Sequence, residues 1–94
     1  MSNHLYQSYF EEFKTYLSLE KSVSPHTLSA YTQDIHQFLS FINTCNDPTL
    51  SQHSLKLYQT YLSKRDYHPR TLTRKYSALQ SFLKYLNRES LIDA

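Results

Sequence analysis

Not one of the 94 residues is glycine. Glycine is the residue that enters left-handed and other strained backbone regions without steric cost, so its absence removes every element that depends on such positions. A phosphate-cradling G-x-x-x-x-G-K-[ST] loop, a G-x-G-x-x-G dinucleotide fingerprint and an EF-hand calcium loop are all excluded. Two-residue hairpins built on Asn-Gly or Asp-Gly turns are excluded too, which weighs against an all-β fold. What the chain offers instead is helical periodicity.

Four runs carry apolar residues at spacings of three and four, the signature of a helix with one buried stripe. The first holds Leu5, Tyr6, Tyr9, Phe10, Phe13, Tyr16 and Leu17, with Glu11 and Glu12 on the wet side and Asn3 as a candidate cap. The second opens at Ser24-Pro25, a strong cap followed by the one helical position where proline is harmless. Its inward face is Leu28, Tyr31, Ile35, Phe38, Leu39 and Ile42. Thr44, Cys45, Asn46, Asp47, Pro48 and Thr49 read as a loop. A third, shorter helix follows Ser51 with Leu55, Tyr58 and Leu62 inward. The fourth begins at Pro69 and buries Leu72, Tyr76, Leu79, Phe82, Leu83 and Leu86, with Leu91-Ile92 as a tail packing back. The expected architecture is an all-α bundle of four helices over residues 3–21, 25–43, 52–65 and 69–88.

The chain suits one domain with one modest core, since 39% of its residues are hydrophobic. Cys45 stands alone, so no internal disulfide can form, and a half-buried thiol in a reducing cytoplasm is expected. No apolar run approaches the ~20 residues that span a bilayer, and the first residues lack a signal-peptide pattern. No membrane partner is expected. His4, His26, His36, His53 and His68 fall on different segments without ligand spacing. With no Ser-His-Asp set or paired carboxylates either, no cofactor, metal or catalytic site is expected.

The net charge of +2 conceals a division. The first 47 residues carry two lysines against five acids, and the remainder eight Lys/Arg against three acids. On the fourth helix, Arg70, Arg74, Ser77, Ser81, Lys84 and Arg88 fall within roughly 80° of arc, opposite the apolar stripe. That face holds cations and short hydroxyls without an acid, which suits close approach to a phosphate backbone. Lys75 lies on the flank. Ser24-Pro25-His26-Thr27 and His68-Pro69-Arg70-Thr71 repeat one layout, placing a Thr and a basic side chain in the first turn of each helix. Free N–H groups in such a turn also favour phosphate.

Val23-Ser24-Pro25-His26-Thr27-Leu28-Ser29-Ala30-Tyr31-Thr32-Gln33-Asp34-Ile35, followed by Phe38-Leu39, resembles the "lS..Tl.aY..Dl..Fl" signature of the core-binding domain of tyrosine recombinases. His68-Pro69-Arg70-Thr71-Leu72-Thr73-Arg74-Lys75-Tyr76, continuing to Phe82-Leu83-Lys84-Tyr85-Leu86, resembles a second block, "s..T..R.lsalr.Fy.yl". Phe10-Glu11-Glu12-Phe13-Lys14-Thr15-Tyr16-Leu17-Ser18-Leu19-Glu20 resembles the family's first helix, and Leu50-Ser51-Gln52-His53-Ser54-Leu55 with Tyr61-Leu62 its short middle helix. The chain departs from the family at Gln80 (often Arg or Lys) and at Asp66-Tyr67-His68 (often containing Gly). The resemblance implies a SAM-like bundle that covers one face of double-stranded DNA, with the catalytic domain beyond Ala94, so that none of the nine tyrosines is the nucleophile. It implies DNA contact by His26, Thr27, Ser29 and Ala30 of the second helix and by Arg70, Thr71, Arg74, Lys75 and Ala78 of the fourth. Arg74 is the candidate for a base edge, and Thr27, Arg70, Thr71 and Lys75 for phosphates. Lys84 and Arg88 match the basic stripe but lie farther along, where they would meet only distant phosphate or solvent. The isolated domain is expected to be a monomer that binds weakly, meeting other protomers only on DNA as part of a full-length protein. The competing reading is a helical protein-interaction module with a merely solvated basic face. A helix-turn-helix regulator fits less well, because the loop at 43–50 is too long.

Overall fold

The computed structural model describes residues 4–45 and 49–91, and those residues form four helices with no strand. They are α1 (His4–Leu19), α2 (Pro25–Ile42), α3 (Gln52–Ser63) and α4 (Pro69–Arg88). The expected cap Asn3, the loop residues 46–48, the Leu5 side chain and Ile92 lie outside what is described.

The starts follow the cap chemistry. Ser24 Oγ accepts the Thr27 N–H at 3.1 Å, with Pro25 at the first helical position. Ser51 and Ser54 form a reciprocal capping box, each hydroxyl accepting the other's backbone N–H at 2.9 and 3.2 Å. His68 caps α4 through Nδ1, which accepts the Arg70 N–H at 3.0 Å.

The ends show what a chain without glycine does instead. α4 closes in a Schellman arrangement: Leu91 N–H donates to Leu86 O at 2.8 Å and Ser90 N–H to Asn87 O at 3.0 Å. Ser90 takes the left-handed position, φ 59°, that glycine usually fills. Ser22 does the same after α1 at φ 52°, and Val23 N–H returns to Leu17 O at 3.3 Å. α1 therefore stops at Leu19, sooner than periodicity suggested. α3 ends at Ser63 rather than at residue 65, because Lys64 and Arg65 donate to the carbonyls three residues back, at 3.3 and 2.9 Å, and tighten the last turn. α2 ends at Ile42, capped by Asn43.

The most extensive packing joins α2 to α4, and α1 and α3 each pack on both. Phe82 lies at the centre, with ring centroids 5.2 Å from Phe13 and 6.2 Å from Phe10. Phe38 and Phe41 of α2 close on Tyr58 of α3 at 5.1 and 5.0 Å. Eight of the nine tyrosines are buried in or packed against this core, the exception being exposed Tyr61. Burial, helped by Tyr67, Tyr61 and Asp34, pushes the Tyr58 hydroxyl up to about 12. Leu50, 1% exposed, donates its N–H to the Tyr6 hydroxyl at 3.3 Å and so ties the loop ahead of α3 to α1. Cys45 is half-buried, its thiol 3.6 Å from Phe41 O. Leu91 packs back on the core as expected.

Candidate nucleic-acid interface

The α2–α4 crossing is built around a buried acid. Asp34, 1% exposed, accepts from Arg74 Nε and Nη2, both at 2.9 Å, one to each carboxylate oxygen. Lys75 Nζ joins the same carboxylate at 3.0 Å and Gln37 Oε1 at 2.6 Å, and stands 5.1 Å from the centre of the Tyr67 ring. One buried anion thus meets two cations and leaves a local excess of one positive charge. The hydrogen bond to Asp34 holds the Arg74 guanidinium above its ordinary pKa, against the opposing effect of burial. Arg74 keeps its side chain 42% exposed, whereas that of Lys75 is 5% exposed.

Two of the residues expected at the surface are buried. Lys75 is not on the flank but inside, on the line of Leu72 (three residues back) and Leu79 (four on). Ala78 is 0% exposed and belongs to the core. Neither presents a surface to a ligand. The remaining candidates are accessible: His26, Ser29, Arg70 and Lys84 are exposed, and Thr27, Ala30 and Thr71 are half-buried.

The first turns also differ from expectation. The N–H groups of Thr27 and Arg70 are occupied by their own caps, and Ser24 Oγ donates to Thr27 Oγ1 at 3.0 Å. Gln37 and Phe41 of α2, and Thr44 just beyond its end, border a groove with Tyr67 just ahead of α4. Along the axes Thr27 lies about 10 Å from Asp34 and Arg70 about 6 Å from Arg74, at ~1.5 Å per residue.

Arg88, at the far end of α4, lies over the Tyr16 and Tyr85 rings, 4.8 and 5.6 Å from their centres, and pairs with Glu89 at 2.9 Å. Tyr16, Lys21, Ser81, Lys84, Tyr85 and Arg88 border an open groove of about 550 Å³ there. Burial, assisted by Glu12 and Glu89, raises the pKa of Tyr85. Among the described residues no cluster of His, Cys, Asp and Glu suits a metal ion, and no helix is long and apolar enough to cross a membrane.

Asp34 is the residue that periodicity alone missed. The signal was present: it stands three residues after Tyr31 and four before Phe38, inside the inward stripe of α2. An acid there must find a cation.

The four helices and their order define a small all-α module of the SAM-like kind. Residues 10–90 match the family described as "Phage integrase, N-terminal SAM-like domain", and the chain belongs to that family. Among curated proteins it is similar to the tyrosine recombinase XerC of Pediococcus pentosaceus, with 34% identity over 86% of this chain and 28% of that protein. It is similar to the XerC of Herpetosiphon aurantiacus at 32% over 92% of this chain and 29% of the relative. The XerC of Anoxybacillus flavithermus is 36% identical over 85% of this chain and 28% of its own length. The chain thus spans under a third of these relatives. No solved structure gives a significant match.

Proposed function

We propose that this chain is the duplex-DNA-binding N-terminal module of a site-specific tyrosine recombinase, holding one face of its site with the outer surface of α4 and the first turn of α2. The observation that carries this reading is the acid-free outer face of α4, where Arg70, Arg74 and Lys84 are exposed between short serines. Arg70 and Lys84 reach phosphates, His26, Thr27, Ser29 and Thr71 set register, and Arg74 meets a base edge. The strand-cleaving chemistry belongs to a separate C-terminal domain of the parent protein, and the tyrosines here serve packing. On its own the module is a cytoplasmic monomer, and neighbouring protomers meet only when full-length proteins assemble on DNA.

A salt titration of duplex binding tests the proposal. The logarithm of affinity is expected to fall linearly with the logarithm of salt concentration, by about 0.9 per phosphate neutralised. With a net charge of +2 the affinity is expected to be modest. No detectable binding at low salt would sink the reading. The competing protein-partner reading has one observation in its favour, the exposed pair Leu57 and Tyr61, one turn apart on α3. Partner-induced shifts confined to that pair, with none on α4, would favour it instead.

A further inference from the structure

Resting on the DNA-binding reading above, we infer that Asp34 is a positioning residue for sequence readout, aiming the outer edge of Arg74 at a guanine. A guanidinium carries five N–H groups in a rigid fork. Two of Arg74's, on Nε and Nη2, are used by the two oxygens of Asp34. The edge formed by Nη1 and the second Nη2 hydrogen points away from that carboxylate. Its paired donors match guanine O6 and N7, the pairing through which arginine reads a base in the major groove.

An unpaired arginine side chain would have to be ordered on binding, at a cost in rotamer freedom. Here that ordering already exists. The carboxylate is 1% exposed and is itself held from the other side by Lys75, which Gln37 steadies at 2.6 Å. The clamp joins the middle of α2 to the first half of α4, so the direction of Arg74 is set by the packing of two helices rather than by its own flexible stem. Lys75 acts here as a buried strut.

A purely electrostatic role predicts the opposite sign. Asp34 is an anion close to the proposed phosphate-facing surface, and its neutralisation should tighten binding to any duplex. A positioning role predicts weaker discrimination among duplexes. The probes are a fluorescent duplex selected by the wild-type chain from a randomised pool and a scrambled duplex of the same composition. The decisive variant is D34N/K75M, which removes one anion and one cation, keeps the net charge and leaves no unpaired buried lysine. Its ratio of affinities for selected over scrambled duplex is expected to fall about tenfold, the value of one bidentate base contact. R74A should lower the ratio equally, and D34N added to R74A should lower it no further. K75M alone, which removes the strut but keeps the carboxylate on Arg74, should lower it by less than D34N/K75M does.

D34N/K75M binding with wild-type discrimination would overturn the inference, as would D34N gaining affinity for both duplexes with the ratio intact. Should D34N/K75M fail to fold, D34E moves the carboxylate by one methylene at constant charge. A lowered ratio with preserved binding to the scrambled duplex supports positioning, and an unchanged ratio refutes it. A wild-type chain that binds neither duplex defeats the DNA-binding reading and this inference together, whereas the outcomes above defeat the positioning role alone.

Discussion

Near its start α4 ties Arg74 and Lys75 to Asp34, a residue of another helix with 1% exposure; at its end it ties Arg88 to Glu89, its own neighbour, in the open. Both ends join arginine to a carboxylate at 2.9 Å. The difference lies in what surrounds them. The Arg88–Glu89 pair is screened by water and gains little. Around Asp34 water is excluded, so each buried ion depends on its partners and the loss of one leaves another stranded. The first end therefore locks α2 to α4, while the second leaves a cation standing over two tyrosine rings beside a groove.

The sharpest way to break this contrast is to remove each acid in turn. D34A strands buried Lys75 and is expected to destabilise the chain by about 3–5 kcal/mol, whereas E89A should leave the thermal melt where it was. Equal effects would show that burial does not separate the two ends. K75M with Asp34 intact should cost far less than D34A, since Arg74 still satisfies the acid.

Alkaline pH probes the aromatic surroundings of both regions. Tyr58, beside the Asp34 crossing, is held protonated up to about 12, above the ~10 of an unfolded chain. A group with a raised folded pKa contributes its stability fully below the unfolded value. That stability is lost as pH climbs from about 10 to about 12. Y58F should flatten this slope in urea melts taken across that window. Y85F should change the slope in the same direction, because burial beside Glu12 and Glu89 also raises Tyr85 at the other end.

Duplex binding compares the two ends as ligands for phosphate. R70A is expected to reduce the salt slope by about 0.9, and K84A to do the same at the far end of α4. A larger loss for K84A than for R70A would move the interface toward the groove at Tyr16 and Tyr85. The smallest expected effect is a gain. S90G places glycine at the left-handed position that ends α4 and should stabilise by about 0.5–1 kcal/mol, read as a small rise in Tm. S22G tests the same point at the end of α1.

Much of the fold was legible because helix periodicity and cap chemistry act over a few residues. The start of α4 at Pro69 and its end at Arg88 lie where the pattern placed them, and so does the cap at Ser24. The ends of α1 and α3 moved inward by two residues each because a left-handed Ser22 and tightened last turns do not register in hydrophobic spacing. The basic outer face of α4 was legible for the same local reason, since a single helix defines its own faces. Lys75 was read as flanking that face and Ala78 was carried over from the resemblance, although the angle of Lys75 on the helix sets it among leucines.

The amino-acid sequence by itself determined four helices, their order, the glycine-free turns and a cationic face without acids. All of these depend on neighbours within about one or two turns. Only the tertiary structure decided that Asp34, forty residues from Arg74, is the carboxylate that pairs with one arginine of that face and meets Lys75 inside. The reason is electrostatic: a charge removed from water must be met by whatever the fold brings against it, and which helix that is depends on packing rather than on periodicity.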